Sequence, residues 1–250
     1  MVVTNPERPI HEGASIILVD KDAPGLEIVR NSAVGPYVDQ ENGVHAYLRF
    51  TDCRVPAKNL LGAEGKGFLV AQTRLGGGRI HHAMRSVGVL KKAMDMMCER
   101  VLSRTTKGEL LANKQFTQEK ISDTYTQITQ YRLHVLYTAW LIDKFKEYNR
   151  EVRKEIAAIK AATPKILQDV IYRAMHIHGS LGMSDEVPFM NMWANIPELG
   201  IVDGPTEVHK VTVARLVLRD YAPANDLFPT YHVPVQYESA MKKYGHYLES

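Results

Sequence analysis

After residue 66, apolar residues recur at three- and four-residue steps through most of the chain, and this helical periodicity is the feature that most restricts its fold. The pattern covers four segments, at residues 68–104, 117–149, 152–177 and 205–221. An unbroken helix over the second segment would be about 45 Å long. Long helices with broad apolar stripes predict a helical bundle, which has room for a ligand between its helices.

Two helical segments contain residues that disfavour helix. Gly76, Gly77 and Gly78 interrupt the first segment, and each glycine costs about 1 kcal/mol relative to Ala inside a helix. They predict a kink, or the close approach of another backbone or a ligand. Pro164 lies within the third segment, so either the helix kinks there or Thr163 and Pro164 mark a join between two helices.

The first 66 residues have strand character instead. Residues 14–20, 26–30 and 44–50 are short runs of β-branched or aromatic residues bounded by Pro, Gly, Asp and Asn. They are too few for an independent barrel. We therefore expect a mainly α fold with a small β part, divided into a β part at 1–66, a four-helix bundle at 67–221 and an irregular tail at 222–250.

Composition excludes several classes of protein. With 45% hydrophobic and 24% charged residues the chain is typical of globular proteins rather than disordered ones. The net charge is only +3 and the basic residues are scattered, which disfavours nucleic-acid binding. Cys53 and Cys98 lack metal or redox spacing, no apolar run is long enough to span a membrane, and residues 1–6 do not resemble a signal peptide. We expect a soluble protein of the cytoplasm or an organelle matrix.

Asp203 stands before Gly204 and Pro205 at the start of the last helical segment. Pro205 suits the first helical position, Gly204 can serve as the N-cap, and Glu207 then lies at the third position. Asp203 would lie just outside the positive end of this helix, where negative charge is favoured. Two interpretations remain open at this point: a turn-forming residue, or a carboxylate directed at a substrate.

The remaining polar motifs have simple structural interpretations. His176 and His178 precede Gly179, which is typical of a helix end, and histidines two residues apart do not share a helix face. His81 and His82 are likewise badly spaced for a metal, so no metal site is predicted. Residues 104–108 place cations at a helix end, or could hold a phosphate. Because no Ser-His-Asp, P-loop or GxGxxG motif is present, a carboxylate base working with a bound cofactor is the best remaining enzymatic interpretation.

Several runs resemble the acyl-CoA dehydrogenases, FAD enzymes that oxidise an acyl-CoA thioester to the 2,3-enoyl-CoA. Residues 50–56 (FTDCRVP), 59–62 (NLLG) and 65–68 (GKGF) are similar to the end of the family's middle β-domain and its entry into the C-terminal helical domain. Residues 74–82 (RLGGGRIHH) and 203–209 (DGPTEVH) resemble the branch in which Asp replaces the usual Glu base. The resemblance extends from residue 1 to about residue 220.

The resemblance implies roles for particular residues. Asp203 would remove the α-proton while the β-hydrogen passes as hydride to the flavin. The residues that match FAD-binding positions are Arg104, Thr106, Gln115, His176, Gly179, Ser180, Pro205 and Glu207. Those that match positions beside the substrate are Arg79, Gly204 and Arg215.

The resemblance also implies partners. They are FAD shared between subunits of a homo-oligomer (a dimer or tetramer), an acyl-CoA substrate of fatty acid β-oxidation, and electron-transfer flavoprotein as acceptor. The family's N-terminal helical domain and the first half of its β-domain are not matched, so these residues form a portion of a longer protein or pair with a chain that supplies the rest. Two alternatives are a flavin oxidase that uses an Asp base on a nitroalkane, and a non-catalytic helical module for oligomerisation.

Overall fold

A computed structural model describes residues 1–33, 45–224 and 227–248 of the chain. The helices in these ranges are α1 (Ile10–Gly13), α2 (Gly67–Ser103), α3 (Gln115–Phe145), α4 (Arg150–His178), α5 (Phe189–Ala194), α6 (Ile196–Ile201), α7 (Thr206–Leu218) and α8 (Val233–Tyr244). The strands are β1 (Val2–Val3), β2 (Ala14–Ile17), β3 (Leu26–Ser32), β4 (His45–Phe50), β5 (Leu60–Leu61), β6 (Thr105–Thr106) and β7 (Glu109–Leu110). The predicted fold class, mainly α with a small β part, is confirmed.

Helices α2, α3 and α4 pack against one another and enclose the main core. Fully buried apolar side chains come from α2 and α4, and α5 and α6 pack on α4. Asn149 caps α4, because its Oδ1 accepts a hydrogen bond from the backbone N–H of Val152 at 3.0 Å. The position of α4 therefore determines where the short helix α6 and the residues after it lie.

The residues that disfavour helix do not divide these helices. α2 runs from Gly67 to Ser103 through its three glycines, and α4 runs through Pro164. Of the two possibilities at Pro164, a kink or a join, the join is therefore excluded, because packing on both neighbouring helices outweighs the local cost of proline. The glycines instead allow a close approach, since a Cβ on Gly78 would lie 2.7 Å from Asp203 Oδ2.

The β part comprises two small antiparallel sheets. β1, β2 and β5 form the first, in which Val2 pairs with Ser15 and Ile16 pairs with Leu61. β3 and β4 form the second, and they correspond to the predicted strands at 26–30 and 44–50, of which Val44 lies outside the described residues. A further hairpin, β6–β7, was not predicted.

The C-terminal region differs from the expected irregular tail. Val233–Tyr244 forms the helix α8, with Pro234 in its first turn, where a missing backbone N–H costs nothing. Contacts group the chain into two compact units, Met1–Val213 and Ala214–Ser250. The domain boundaries at residues 66 and 221 stay a prediction.

Replacing Gly182 with Ala is expected to destabilise the fold. Gly182 is buried after α4, and an added Cβ would lie 2.4 Å from the carbonyl oxygen of Met175, so backbone must move. We expect the free energy of unfolding to fall by about 2 kcal/mol. Thermal denaturation checks this, with Ser180→Ala on the exposed side of the same segment as the control. Equal melting temperatures for the two variants would contradict the packing argument.

Candidate functional site

The turn between α6 and α7 holds Asp203 in a left-handed backbone conformation. The φ angle is 56° at Asp203 and 105° at Gly204. Asp tolerates this region better than most residues, whereas a Cβ on Gly204 would lie 3.0 Å from His209 Nε2. α7 begins at Thr206, so Pro205 lies immediately before the helix rather than at the predicted first helical position.

Two side chains hold the backbone of this turn. Arg79 Nε donates a hydrogen bond to the carbonyl oxygen of Asp203 at 2.9 Å, and His209 Nε2 lies 3.1 Å from the same oxygen. Arg79 is buried, and its terminal nitrogens reach Gln72 Oε1 at 3.3 and 3.4 Å. The turn is thus fixed to α2 on one side and to α7 on the other.

The carboxylate of Asp203 points towards α2. Its side chain is 10% exposed, and Oδ2 occupies the space beside Gly78. His82 Nε2 is 3.2 Å from Oδ2, but the angles are not those of a hydrogen bond, so Oδ2 has no hydrogen-bond partner among the described residues. Buried polar atoms without a partner are rare, and a bound ligand is one group that can satisfy them.

Basic groups from three helices surround this carboxylate. His82 lies on α2, His209 on α7, and Lys160 on α4, where it is completely buried and donates a hydrogen bond to the carbonyl oxygen of Leu199. Burial lowers the pKa of all three groups, and the charge of Asp203 opposes that lowering in each. The site therefore combines a carboxylate oxygen that accepts no hydrogen bond with basic groups that are partly or wholly shielded from water.

Lowering the pH is expected to reduce the stability of the fold, because three of its histidines are shielded from water. Burial lowers the pKa of His82, His178 and His209 below the usual value of 6.5, so the unfolded chain binds protons that the folded chain does not. This contribution to stability is present above pH 6.5 and is lost as the pH falls through the lowered folded values.

Melting temperatures measured from about pH 7.5 to about pH 5.5 should therefore decrease. His178→Asn should flatten that dependence, while His246→Asn, which removes an exposed imidazole, should leave it unchanged. A melting temperature that rises on acidification would contradict this assignment.

Two cavities lie near the glycine segment of α2. One, of roughly 320 Å³, is lined by residues that include Gln72, Arg79 and His209. The other, of roughly 480 Å³, is lined by residues that include Gly76 and Gly77. These two cavities provide room for a ligand, as expected for a helical bundle.

The remaining candidates occupy separate places. Thr106 lies in β6 of the β6–β7 hairpin, between Arg104 and Gln115, and the side chains of all three residues make no hydrogen bond to the described residues. His176, Gly179 and Ser180 lie exposed at the end of α4, where the His176 ring contacts Tyr172 with centroids 4.2 Å apart. Pro205 and Glu207 are exposed at the start of α7, and Arg215 is exposed on its later part. Of the predicted site residues, the structure brings together Asp203, Gly204 and Arg79.

The site residues predicted from the sequence do not include Lys160, His209 or His82. Lys160 interrupts an apolar stripe of α4 between Ile156 and Thr163, and a charged residue in such a stripe is a signal of a buried functional group. His82 belongs to the run 74–82 that resembles the family, but its spacing from His81 only excludes a metal site and predicts no contact with Asp203. Among residues 1–33, 45–224 and 227–248, no group of three His, Cys, Asp or Glu side chains could hold a metal ion. None of the helices in those ranges is long and apolar enough to cross a membrane.

Comparison with known proteins connects these residues to one family. The family model described as "Acyl-CoA dehydrogenase, C-terminal domain" matches residues 65–218. The "Probable acyl-CoA dehydrogenase FadE2" of Mycobacterium tuberculosis is 41% identical over 215 residues, which are 86% of this chain and 52% of that protein. "Acyl-CoA dehydrogenase family member 11" of Rattus norvegicus is 40% identical over 218 residues, which are 87% of this chain and 28% of that protein.

Solved structures show the same similarity. An acyl-CoA dehydrogenase from Geobacillus kaustophilus superposes with a TM-score of 0.76 at 27% identity, over 86% of this chain and 55% of that one. The chain thus spans about half the length of FadE2 and of this structure, and a smaller share of family member 11.

Proposed function

The chain belongs to the acyl-CoA dehydrogenase family, and from this membership we propose that it supplies the catalytic base, Asp203, to a flavin-dependent dehydrogenase acting on an acyl-CoA thioester. The observation that carries the proposal is the buried Oδ2 of Asp203, which has no hydrogen-bond partner in the described part of the chain. A base must have a free lone pair directed at the proton that it removes.

In the proposed reaction, Asp203 removes the α-proton of the thioester. The pair of electrons from that C–H bond forms the double bond as the β-hydrogen departs with its own electron pair. Bound FAD supplies the acceptor for that hydride. The backbone N–H of Asp203 donates no hydrogen bond to a described residue and is therefore free to bind the thioester carbonyl, on which negative charge develops.

Arg79 and Gly204 support the base in this proposal. Arg79 and His209 hold the carbonyl of Asp203, so the turn that carries the carboxylate is fixed before the substrate arrives. Gly204 lets the chain turn closely past His209. Contacts of Arg79, Gly204 and Arg215 with the substrate itself stay a prediction.

The free polar groups outside this turn fit FAD. The guanidinium of Arg104, the hydroxyl of Thr106 and the amide of Gln115 are donors suited to a pyrophosphate or an adenine, and none is engaged within the described chain. His176, Gly179 and Ser180 form a second exposed group, with Pro205 and Glu207 at the start of α7. These residues would hold the cofactor. We also propose that the protein forms a homo-oligomer whose subunits share FAD. Electron-transfer flavoprotein is the proposed electron acceptor.

The test uses the full protein that carries this chain. Visible absorbance should show bound flavin, and butyryl-CoA or palmitoyl-CoA with a dye acceptor should yield the corresponding enoyl-CoA. In D₂O with the dye omitted, the α-hydrogens of the thioester should exchange, because removal of the α-proton is the step assigned to this chain.

Other results would favour different functions. Oxygen consumption with a nitroalkane and without a CoA thioester would indicate a flavin oxidase. A colourless, stable oligomer that forms no enoyl-CoA would indicate a non-catalytic assembly module. Either result would overturn the proposed dehydrogenase.

A further inference from the structure

Lys160 is the one completely buried residue with a charged side chain in the described core. It lies on α4 beside the buried residues Ile156 and Ile159, and its Nζ donates a hydrogen bond to the carbonyl oxygen of Leu199. No carboxylate of the described chain lies within ion-pair distance of it. Burying an ammonium group without a direct counter-ion is costly, so its presence needs a reason beyond packing.

The hydrogen bond of Lys160 falls at the start of the segment that leads to Asp203. Leu199 lies on α6, four residues before Asp203. The neighbouring residue Gly200 packs on Pro164, one turn along α4, where a Cβ on Gly200 would lie 3.7 Å from the Pro164 ring. One turn of α4 therefore holds the beginning of the segment 199–203, and Arg79 and His209 hold its end at the carbonyl of Asp203.

Lys160 and Asp203 also interact through their charges. The lowered pKa of Lys160 follows first from burial, and the charge of Asp203 acts in the opposite direction. The other basic groups around the carboxylate are His82 and Arg79 on α2 and His209 on α7. Lys160 is the member of this group that lies on α4.

We propose that Lys160 is a positioning residue of the reaction, which fixes the segment before Asp203 through the Leu199 carbonyl and places a positive charge near the base. The inference rests on the proposed role of Asp203 as the base. Lys160 need not touch the substrate, because its effect passes through the turn and through the electric field at the carboxylate.

Lys160→Met tests the proposal, because Met keeps the length and apolar stem of Lys without its charge. In the full FAD-loaded protein, we expect kcat to fall about tenfold with KM little changed. The acid limb of the kcat/KM profile should move to higher pH, since a positive charge near the carboxylate is lost. Lys165→Met on the exposed side of α4 is the matched control and should change neither quantity.

Lys160→Gln separates the two parts of the effect. Gln retains a donor for the Leu199 carbonyl, so this variant should show the shift of the acid limb with a smaller loss of kcat. It also provides the measurement should Lys160→Met fail to fold. Thermal melts are recorded for every variant, because a positioning role predicts loss of turnover in protein that is fully folded at the assay temperature.

The outcomes separate this inference from the proposed function. If Asp203→Asn abolishes turnover while both Lys160 variants keep the wild-type kcat and pH profile, the positioning role is overturned and the base assignment stands. If the activity of both Lys160 variants falls only in proportion to their folded fraction, Lys160 is merely structural and the inference is overturned. If Asp203→Asn has no effect on turnover, the proposed function itself fails.

Discussion

Replacing Asp203 with Asn is expected to lower kcat by about 10²–10⁴-fold, the range over which a positioned base contributes to proton transfer. The amide cannot accept the α-proton, yet it has nearly the same size as the carboxylate. Asn also tolerates the left-handed backbone that Asp203 adopts, with its φ of 56°. The contacts of Arg79 and His209 with the carbonyl oxygen should therefore survive, and the melting temperature should change little.

Asp52 offers a matched control for this substitution. It is an exposed aspartate that also has a positive φ, of 47°, so Asp52→Asn makes the same chemical change in a similar backbone conformation. Exchange of the α-hydrogens of a thioester in D₂O and enoyl-CoA formation are measured for both variants. Wild-type exchange in Asp203→Asn, or an equal loss in both variants, would remove Asp203 as the base.

Replacing Gly78 with Ala is expected to stabilise the protein and to reduce its activity. Ala within a helix is favoured over Gly by about 1 kcal/mol, and the three atoms nearest to the added methyl all belong to the Asp203 carboxylate. At 2.7 Å from Oδ2 the methyl would push that carboxylate aside rather than strain the helix backbone. A displacement of about 1 Å can cost roughly 10²-fold in rate, and we expect a loss of that order.

Gly88→Ala is the control for Gly78→Ala. Gly88 is an exposed glycine of the same helix, and an added methyl there would have nothing within 4 Å, so this variant should stabilise the protein equally and leave kcat unchanged. Melting temperature and kcat are measured together on both variants. A destabilised Gly78→Ala, or one with full activity, would show that the space beside Gly78 does not determine where the carboxylate lies.

The long helices could be predicted because their apolar periodicity extends over many turns. Each predicted segment corresponds to one helix, with ends that differ by a few residues. The helix α8 was missed because the Pro- and Tyr-rich composition around it was interpreted as irregular, although Pro234 lies in the first turn, where proline is accepted. At Pro164 local preferences allow either a kink or a join, and the packing of α4 against its neighbours excludes the join.

The site could be predicted only in part, for a physical reason. Asp203 and Gly204 are adjacent in the chain, and their turn can be identified from local preferences. His82 contacts this carboxylate from 121 positions away, and Lys160, 43 positions away, interacts with its charge, and no local pattern contains that information. The three glycines predict a kink or a close approach but not which group approaches Gly78, because an absent side chain gives no sign of what fills its space.

The left-handed conformation of Asp203 also has a consequence for which acid can serve at this position. This backbone region is enriched in Asn and Asp, whose short side chains tolerate it, and Glu has no such advantage. The space beside Gly78 is already filled by an oxygen of the shorter acid, so an additional methylene would need new room on α2 as well. An exchange between Asp and Glu here thus requires concerted changes in the turn and in the helix that faces it, and the two acids are not interchangeable by a single substitution.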